Sequence, residues 1–255
     1  MCGRFAITAA PELVAEYLAL EELEDFPPRY NIAPTQPILI IANSNVPQKG
    51  ENRSGRKAGL ARWGLIPGWV KDMKSFPLLL NARSETAAEK NSFRAAMRHR
   101  RVLIPASGFY EWQRTASKKS QPYWVKPRIG SLVAFAGLME TWMSADGSEI
   151  DTAAIVTAAA NNGFAAIHDR MPVVIQPQDF SRWLDCTNVE PRQVADLMNA
   201  PPEDFFDAIP ISDKVNKVAN TGPDLHDPVN FKKPVERVVT TSEEAPPQTG
   251  QMKFF

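Results

Sequence analysis

The chain has only two cysteines, Cys2 and Cys186, in 255 residues. Two such distant thiols make no disulfide framework, which fits a reducing cytoplasm. Its three histidines, His99, His168 and His226, are equally scattered. Without metal-ligand spacing among these groups, neither a metal site nor a cofactor is expected. No eighteen apolar residues run together, so no membrane span is expected. The first stretch lacks a cationic start and a continuous apolar core, and carries six acids from Glu12 to Asp25. It does not read as a signal peptide. What is present, 44% hydrophobic residues over this length, suffices to bury a core.

Net charge is also lacking, with 29 basic and 29 acidic residues, but the balance hides an asymmetry. From Phe26 to Gly130 there are 19 Lys and Arg against 5 Asp and Glu, and the remainder holds 10 against 24. A segment that basic suits a polyanion partner. Equally, the two parts can pair with each other on a mixed surface, and charge alone does not choose.

Apolar residues at Leu13, Val14, Tyr17, Leu18 and Leu20 have roughly helical spacing, with Pro11 suited to a first turn. This predicts a helix over PELVAEYLALEELE. Further helices are expected at about 86–99, 178–186 and 191–199. Short β-like runs occur at 38–43, 60–67, 78–85, 102–112, 123–127, 133–140, 152–160 and 171–176, with turn-rich sequence between them. Many strands with few intervening helices predict an α+β fold or a barrel-like sheet core rather than βαβ winding. From about Val238 the chain becomes polar and Pro-rich, which predicts one domain over 2–237 and a flexible tail over 238–255.

Cys2 directly follows the initiator methionine, in MCGRFA. Removal of Met1 would leave an α-amine and a thiol on adjacent carbons. Such an amine titrates near pH 8, so some of it is unprotonated at neutrality. An aldehyde condenses with the amine to an imine, and the thiol then closes a five-membered thiazolidine. The plainer alternative is a small buried residue at a strand start. Arg4 sets a cation beside the thiol, either lowering its pKa or holding a phosphate.

Three further clusters carry polar groups. NARSE puts Asn81 and Arg83 where an apolar run leaves the core, although such an Asn also serves turns. ASGFYEW places Glu111 between Tyr110 and Trp112, as an acid/base group or an outward strand glutamate. IHDRMP joins His168, Asp169 and Arg170 in a loop, where His168 is either a proton shuttle or a surface residue. RYNIAP and WGLIPGW set aromatic and proline residues among basic ones, as single-strand binders do. Trp69 is expected to be exposed and Trp63 to lie in the core.

In this order, MCGRFA, RYNIAP, WGLIPGW, NARSET, FYEW, IVTAAAN and IHDRMP resemble the SOS-response-associated peptidase family of abasic-site-processing proteins. The resemblance runs from residue 2 to about residue 235. It implies a single α+β domain with a mainly antiparallel, barrel-like β core and flanking helices. It also implies a reversible thiazolidine crosslink between Cys2 and the opened aldehyde of an abasic site in single-stranded DNA. By position, Cys2 would be the nucleophile, Asn81 would orient the adduct, Glu111 would move protons, and His168 would open the sugar and assist reversal. Arg4, Arg83 and Arg170 would hold phosphates, and Pro34 and Trp69 would lie against bases. Val70 departs from members that have a second tryptophan there.

Two other readings stand beside this one. One is an N-terminal-cysteine peptidase or hydrolase, whose mildest form is removal of its own Met1. The other is a non-catalytic single-strand binder. A crosslinker acting once per lesion needs no partner subunit, so a monomer is expected, in the cytoplasm at replication forks. The terminal QMKFF, with Gln251, Met252, Phe254 and Phe255, looks like a short peptide that binds the bacterial sliding clamp. Its phenylalanines could instead pack back on the domain.

Overall fold

The computed structural model describes residues 2–43, 55–114 and 120–229. The tail and QMKFF lie outside them. The described strands are β1 (Phe5–Ile7), β2 (Arg29–Ile32), β3 (Pro37–Asn43), β4 (Arg56–Trp63), β5 (Asn81–Arg83), β6 (Arg101–Ala106) and β7 (Gly108–Arg114). They continue with β8 (Ser120–Pro127), β9 (Val133–Met143), β10 (Glu149–Ala159), β11 (Arg170–Pro172), β12 (Val174–Ile175) and β13 (Phe206–Pro210). The α-helices are α1 (Pro11–Leu18), α2 (Arg94–His99), α3 (Asn162–Ala165) and α4 (Phe180–Leu184).

Five strands close on themselves. β10 pairs with β4, β4 with β3, β3 with β6, β6 with β9, and β9 returns to β10. All these pairs are antiparallel except β10 with β4. Closure leaves the barrel without a free edge along its paired length. Side chains of β6 crowd its neighbour β9 at Gly137, where a Cβ would lie 2.8 Å from both Ile104 Cδ1 and Val102 Cγ2. β5 and β11 extend the sheet along β10, and β12 along β9. A second, antiparallel sheet in the order β13-β8-β7-β1-β2 packs beside the barrel. The expected α+β architecture with a barrel-like β core is what the structure has.

Several elements differ from the sequence reading. α1 stops at Leu18, and Ala19 takes a left-handed φ of 51°. Extending it would stack Glu21, Glu22, Glu24 and Asp25 at the negative end of the helix dipole. Only Arg94–His99 of the stretch 86–99 is α-helical, the rest being turns. Its Asn91 and Ser92 belong to the residues that compete with the helical backbone for hydrogen bonds. Residues 191–197 form a 3-10 turn, started by a capping box between Glu190 and Gln193. The run 102–112 breaks into β6 and β7, which belong to different sheets. At the break, Ser107 Oγ accepts from the N–H groups of Thr8 (3.0 Å) and Ala9 (3.3 Å). A Cβ on Gly108 would lie 2.4 Å from the Val125 carbonyl oxygen, so glycine permits the approach of β8.

The start of the chain is fixed between the two sheets. Phe5, on β1 of the second sheet, meets Trp63 and Phe135 of the barrel edge-on, with ring centroids 5.1 and 6.4 Å apart. Residues 211–229 clasp the other side of β1. There Ile211, Val215 and Leu225 pack with Ala6, Tyr110 and Trp124. Asn31, 4% exposed, donates through Nδ2 to the carbonyls of Val215, Lys217 and Asn220.

Part of the charge asymmetry resolves inside the molecule. Arg98 pairs with Glu190, Arg100 with Glu140 and Arg128 with Asp207, each joining the basic segment to an acid beyond it. Arg101 is buried and donates to four carbonyls, those of Met97, Trp183, Asp185 and Val189. The net positive face left for a polyanion is therefore smaller than the sequence surplus suggests.

Candidate functional site

Four separated stretches of sequence meet where the two sheets adjoin. Cys2 precedes β1, and β1 lies against β7 through the pairs Phe5 with Phe109 and Ala6 with Gly108. The Tyr110 N–H extends this contact to the Arg4 carbonyl at 2.9 Å. β7 thereby brings Glu111 alongside the start of the chain. Asn81 opens β5, held by its pairing with Ile155 of β10. His168 lies in the turn between α3 and β11, which also joins the barrel sheet.

The contacts are specific. Asn81 Nδ2 donates to the Cys2 carbonyl at 2.9 Å, while Asn81 Oδ1 is buried with no hydrogen-bond partner among the described residues. Glu111, 2% exposed, has Oε1 3.6 Å from His168 Nδ1. The same imidazole nitrogen lies 2.9 Å from both the Arg170 N–H and Asp169 Oδ1. A bare Nδ1 accepts from the first neighbour and an Nδ1–H donates to the second, so either form of that nitrogen finds a partner.

Cys2 is 1% exposed. Burial first, and then the negative charge of Glu111, push its thiol well above the ordinary range. This overturns the expectation that Arg4 would lower it. Arg4 instead turns its Nη1 to Asn31 Oδ1 (2.7 Å) and the Val215 carbonyl (2.9 Å), and burial lowers its own pKa. A protonated thiol is a poor nucleophile and needs a base, and Glu111 is the carboxylate beside it.

The other predicted positions are more dispersed. Arg83 on β5 is exposed. Arg170 is held by Glu85 in a two-pronged ion pair at 2.6 and 2.9 Å, and it also donates to the Thr157 carbonyl. Pro34 is half-buried, followed by Thr35 at a φ of 70°. Trp63 is buried, whereas Trp69 is 61% exposed and meets Phe76 edge-on at 5.5 Å. Val70 is buried, its carbonyl accepting from Trp142 Nε1 at 2.7 Å, so its side chain is not offered for stacking. Sequence reasoning passed over Asn31, whose only signal was an amide between Tyr30 and Ile32 in the short strand RYNI. Among the described residues, no three or more His, Cys, Asp or Glu are grouped to hold a metal ion. Among them, too, no helix is long and apolar enough to cross a membrane.

The family model for SOS response associated peptidase (SRAP) matches residues 1–218. The chain belongs to the SRAP family. Among its relatives, the Bacillus subtilis protein named abasic site processing protein YoqW is 36% identical over 228 residues, covering 88% of this chain and 98% of its own. The Escherichia coli protein named abasic site processing protein YedK is 33% identical, with coverage of 90% and 100%. Abasic site processing protein HMCES of Xenopus tropicalis is 28% identical, with coverage of 88% and 77%. A solved protein of Bacteroides thetaiotaomicron shares this fold at a TM-score of 0.75, covering 89% of this chain and 100% of its own at 23% identity.

Proposed function

We propose that this SRAP protein captures abasic sites in single-stranded DNA covalently, through the aminothiol that Cys2 becomes once Met1 is removed. The observation that carries this reading is the meeting of Cys2 with Asn81, Glu111 and His168. The names of relatives that match most of the chain agree with it.

In this chemistry the Cys2 amine adds to the sugar aldehyde and loses water, giving an imine. The thiol then adds across the C=N bond. A C–S bond forms, the sulfur gives up its proton and the nitrogen gains one, leaving a thiazolidine. Glu111 is suited to take the sulfur's proton, because the thiol does not ionise unaided. Asn81 steadies the Cys2 carbonyl, and its unpartnered Oδ1 is an acceptor suited to the N–H of the new amine. His168, beside Glu111, supplies protons for sugar opening and for reversal. The ring replaces an imine that would hydrolyse or promote loss of the 3′ phosphate, so the crosslink protects the strand.

Arg83 is the exposed cation nearest to Asn81 in sequence and is assigned to phosphate. Arg4 and Arg170 would reach phosphate only by sharing or releasing the partners they hold. Trp69 is placed to stack on a base, with Pro34 as a second apolar contact. Removal of Met1, by the protein itself or by an aminopeptidase, is read by the mass of protein purified with and without Cys2→Ala. Clamp binding by QMKFF is tested by pull-down with and without residues 251–255.

The deciding experiment uses Met1-processed protein and single-stranded DNA with one abasic site. A heat-stable shifted band is expected, lost in Cys2→Ala and lost when Met1 is retained. A Cys2→Ala protein that crosslinks as well as the parent refutes the mechanism.

A further inference from the structure

β7 meets the turn that carries His168 at two points. Glu111 and Gln113 are two residues apart on the strand, so their side chains share one face. Glu111 approaches the His168 ring at 3.6 Å, and Gln113 Nε2 donates to the Ala166 carbonyl at 2.7 Å. Ala166 caps the C-terminal end of α3, where carbonyls have no partner within the helix. The Gln113 amide is itself oriented. Tyr123, opposite Glu111 on β8, donates its hydroxyl to Gln113 Oε1 at 3.1 Å. With its oxygen so engaged, the amide presents its N–H group to the turn. Burial raises the Tyr123 pKa, so the phenol stays a donor through neutral pH.

The far side of the turn is anchored separately. Asn161 donates to the Pro201 and Pro202 carbonyls, and the Ala160 N–H bonds to the Asp169 carbonyl. These bonds fix the ends of the turn, and Gln113 fixes its middle, two residues before His168. A change there would bear on the distance between His168 and Glu111.

We propose that Gln113, oriented by Tyr123, is a positioning residue that sets the height of His168 over Glu111 and thereby the rate of crosslink reversal. This rests on the crosslinking reading above. Gln113 itself touches no reacting atom.

The test compares Gln113→Ala, Gln113→Glu and Tyr123→Phe, each alone and with His168→Ala. Two quantities are read: the ring 15N resonances of His168 in the free protein, and single-turnover rates of crosslink formation and reversal. Gln113→Ala is expected to shift the His168 resonances while leaving those of His99 and His226 in place. It should slow reversal about tenfold, as small misplacements of a catalytic group do, and formation less. Gln113→Glu fills the same volume but sets a carboxylate against the Ala166 carbonyl, so it should fail to rescue. In the His168→Ala background none of the three should slow reversal further. Unchanged His168 resonances, or equal slowing in both backgrounds, overturn the proposal. If Gln113→Ala does not fold, Tyr123→Phe, which removes only the orienting hydroxyl, decides by the same readings. If the parent forms no Cys2-dependent crosslink, the function reading falls, while the ring resonances still decide whether Gln113 positions His168.

Discussion

Asn31 is the residue whose removal the structure prices most directly. Its Oδ1 accepts from Arg4 at 2.7 Å, and its Nδ2 serves three carbonyls, Val215 at 3.3 Å, Lys217 at 3.2 Å and Asn220 at 2.8 Å. In Asn31→Ala the Arg4 guanidinium loses a charge-assisted bond, worth about 1.5 kcal/mol at the low end because Nη1 keeps Val215. Two amide protons shared among three acceptors add about 0.5–1.5 kcal/mol each. The expected loss is therefore about 3 kcal/mol, or about 6–12 °C in Tm for a chain of this size. Urea unfolding followed by tryptophan fluorescence is the assay, with a lower midpoint and an unchanged slope. Asn31→Asp keeps the acceptor for Arg4 but faces three carbonyls with a carboxylate, so it should destabilise at least as much. A loss below about 0.5 kcal/mol in Asn31→Ala, the range of ordinary surface changes, would show that water replaces these bonds and that the clasp is not held there.

The remaining tests probe protons and contacts. Burial lowers the His226 pKa from 6.5 to about 4, with Asp227 opposing. Because the folded state resists the proton that the unfolded chain accepts, stability should fall as pH drops from about 6.5 to about 4 and level off below. After discounting for the ring's partial exposure the loss is about 1–2 kcal/mol, read from urea midpoints at pH 7 and pH 4. A flat profile there refutes it. Glu111→Gln should raise the alkylation rate of Cys2 by iodoacetamide at pH 8, since a charge opposing the thiolate is gone, yet slow crosslinking. Parallel changes in both rates would remove Glu111 as the sulfur's base. Trp69→Ala should weaken single-strand binding by about 1–3 kcal/mol in a fluorescence titration while leaving the urea midpoint in place.

Local strands were more legible in the sequence than long-range pairing. The strand pattern gave β3, β8, β9 and β10 with small boundary errors, because each is an apolar run bounded by turn residues. β1 escaped it as a run of only three residues, and β2 and β13 because polar residues interrupt theirs. Barrel closure depends on β10 pairing with β4 across about ninety residues, and no local periodicity reports such a contact. Cys2, Asn81, Glu111 and His168 stood out as reactive or amide groups at apolar boundaries within the family's ordered motifs, and the structure brings them together. The roles of the arginines were not legible, since a guanidinium serves phosphate, carboxylate and carbonyl alike. Only the fold shows that Arg4 faces Asn31, that Arg170 faces Glu85, and that Arg101 is buried.

The state of the Cys2 thiol also orders the proposed steps. A sulfur that is buried and opposed by Glu111 is disfavoured as a thiolate, which makes it a poor leader of the attack on an aldehyde. In the proposed chemistry the amine acts first, and its imine, when protonated, brings a positive charge beside the sulfur. That charge favours the thiolate by the same Coulomb term through which Glu111 disfavours it. The thiol therefore becomes nucleophilic only after its electrophile has formed. Until then the protonated form resists oxidation and stray alkylation. A free-cysteine mimic with a low thiol pKa would reverse this order and scatter the sulfur among other electrophiles. On the proposed mechanism, the burial that looks like inertness in the resting protein would make the second bond conditional on the first.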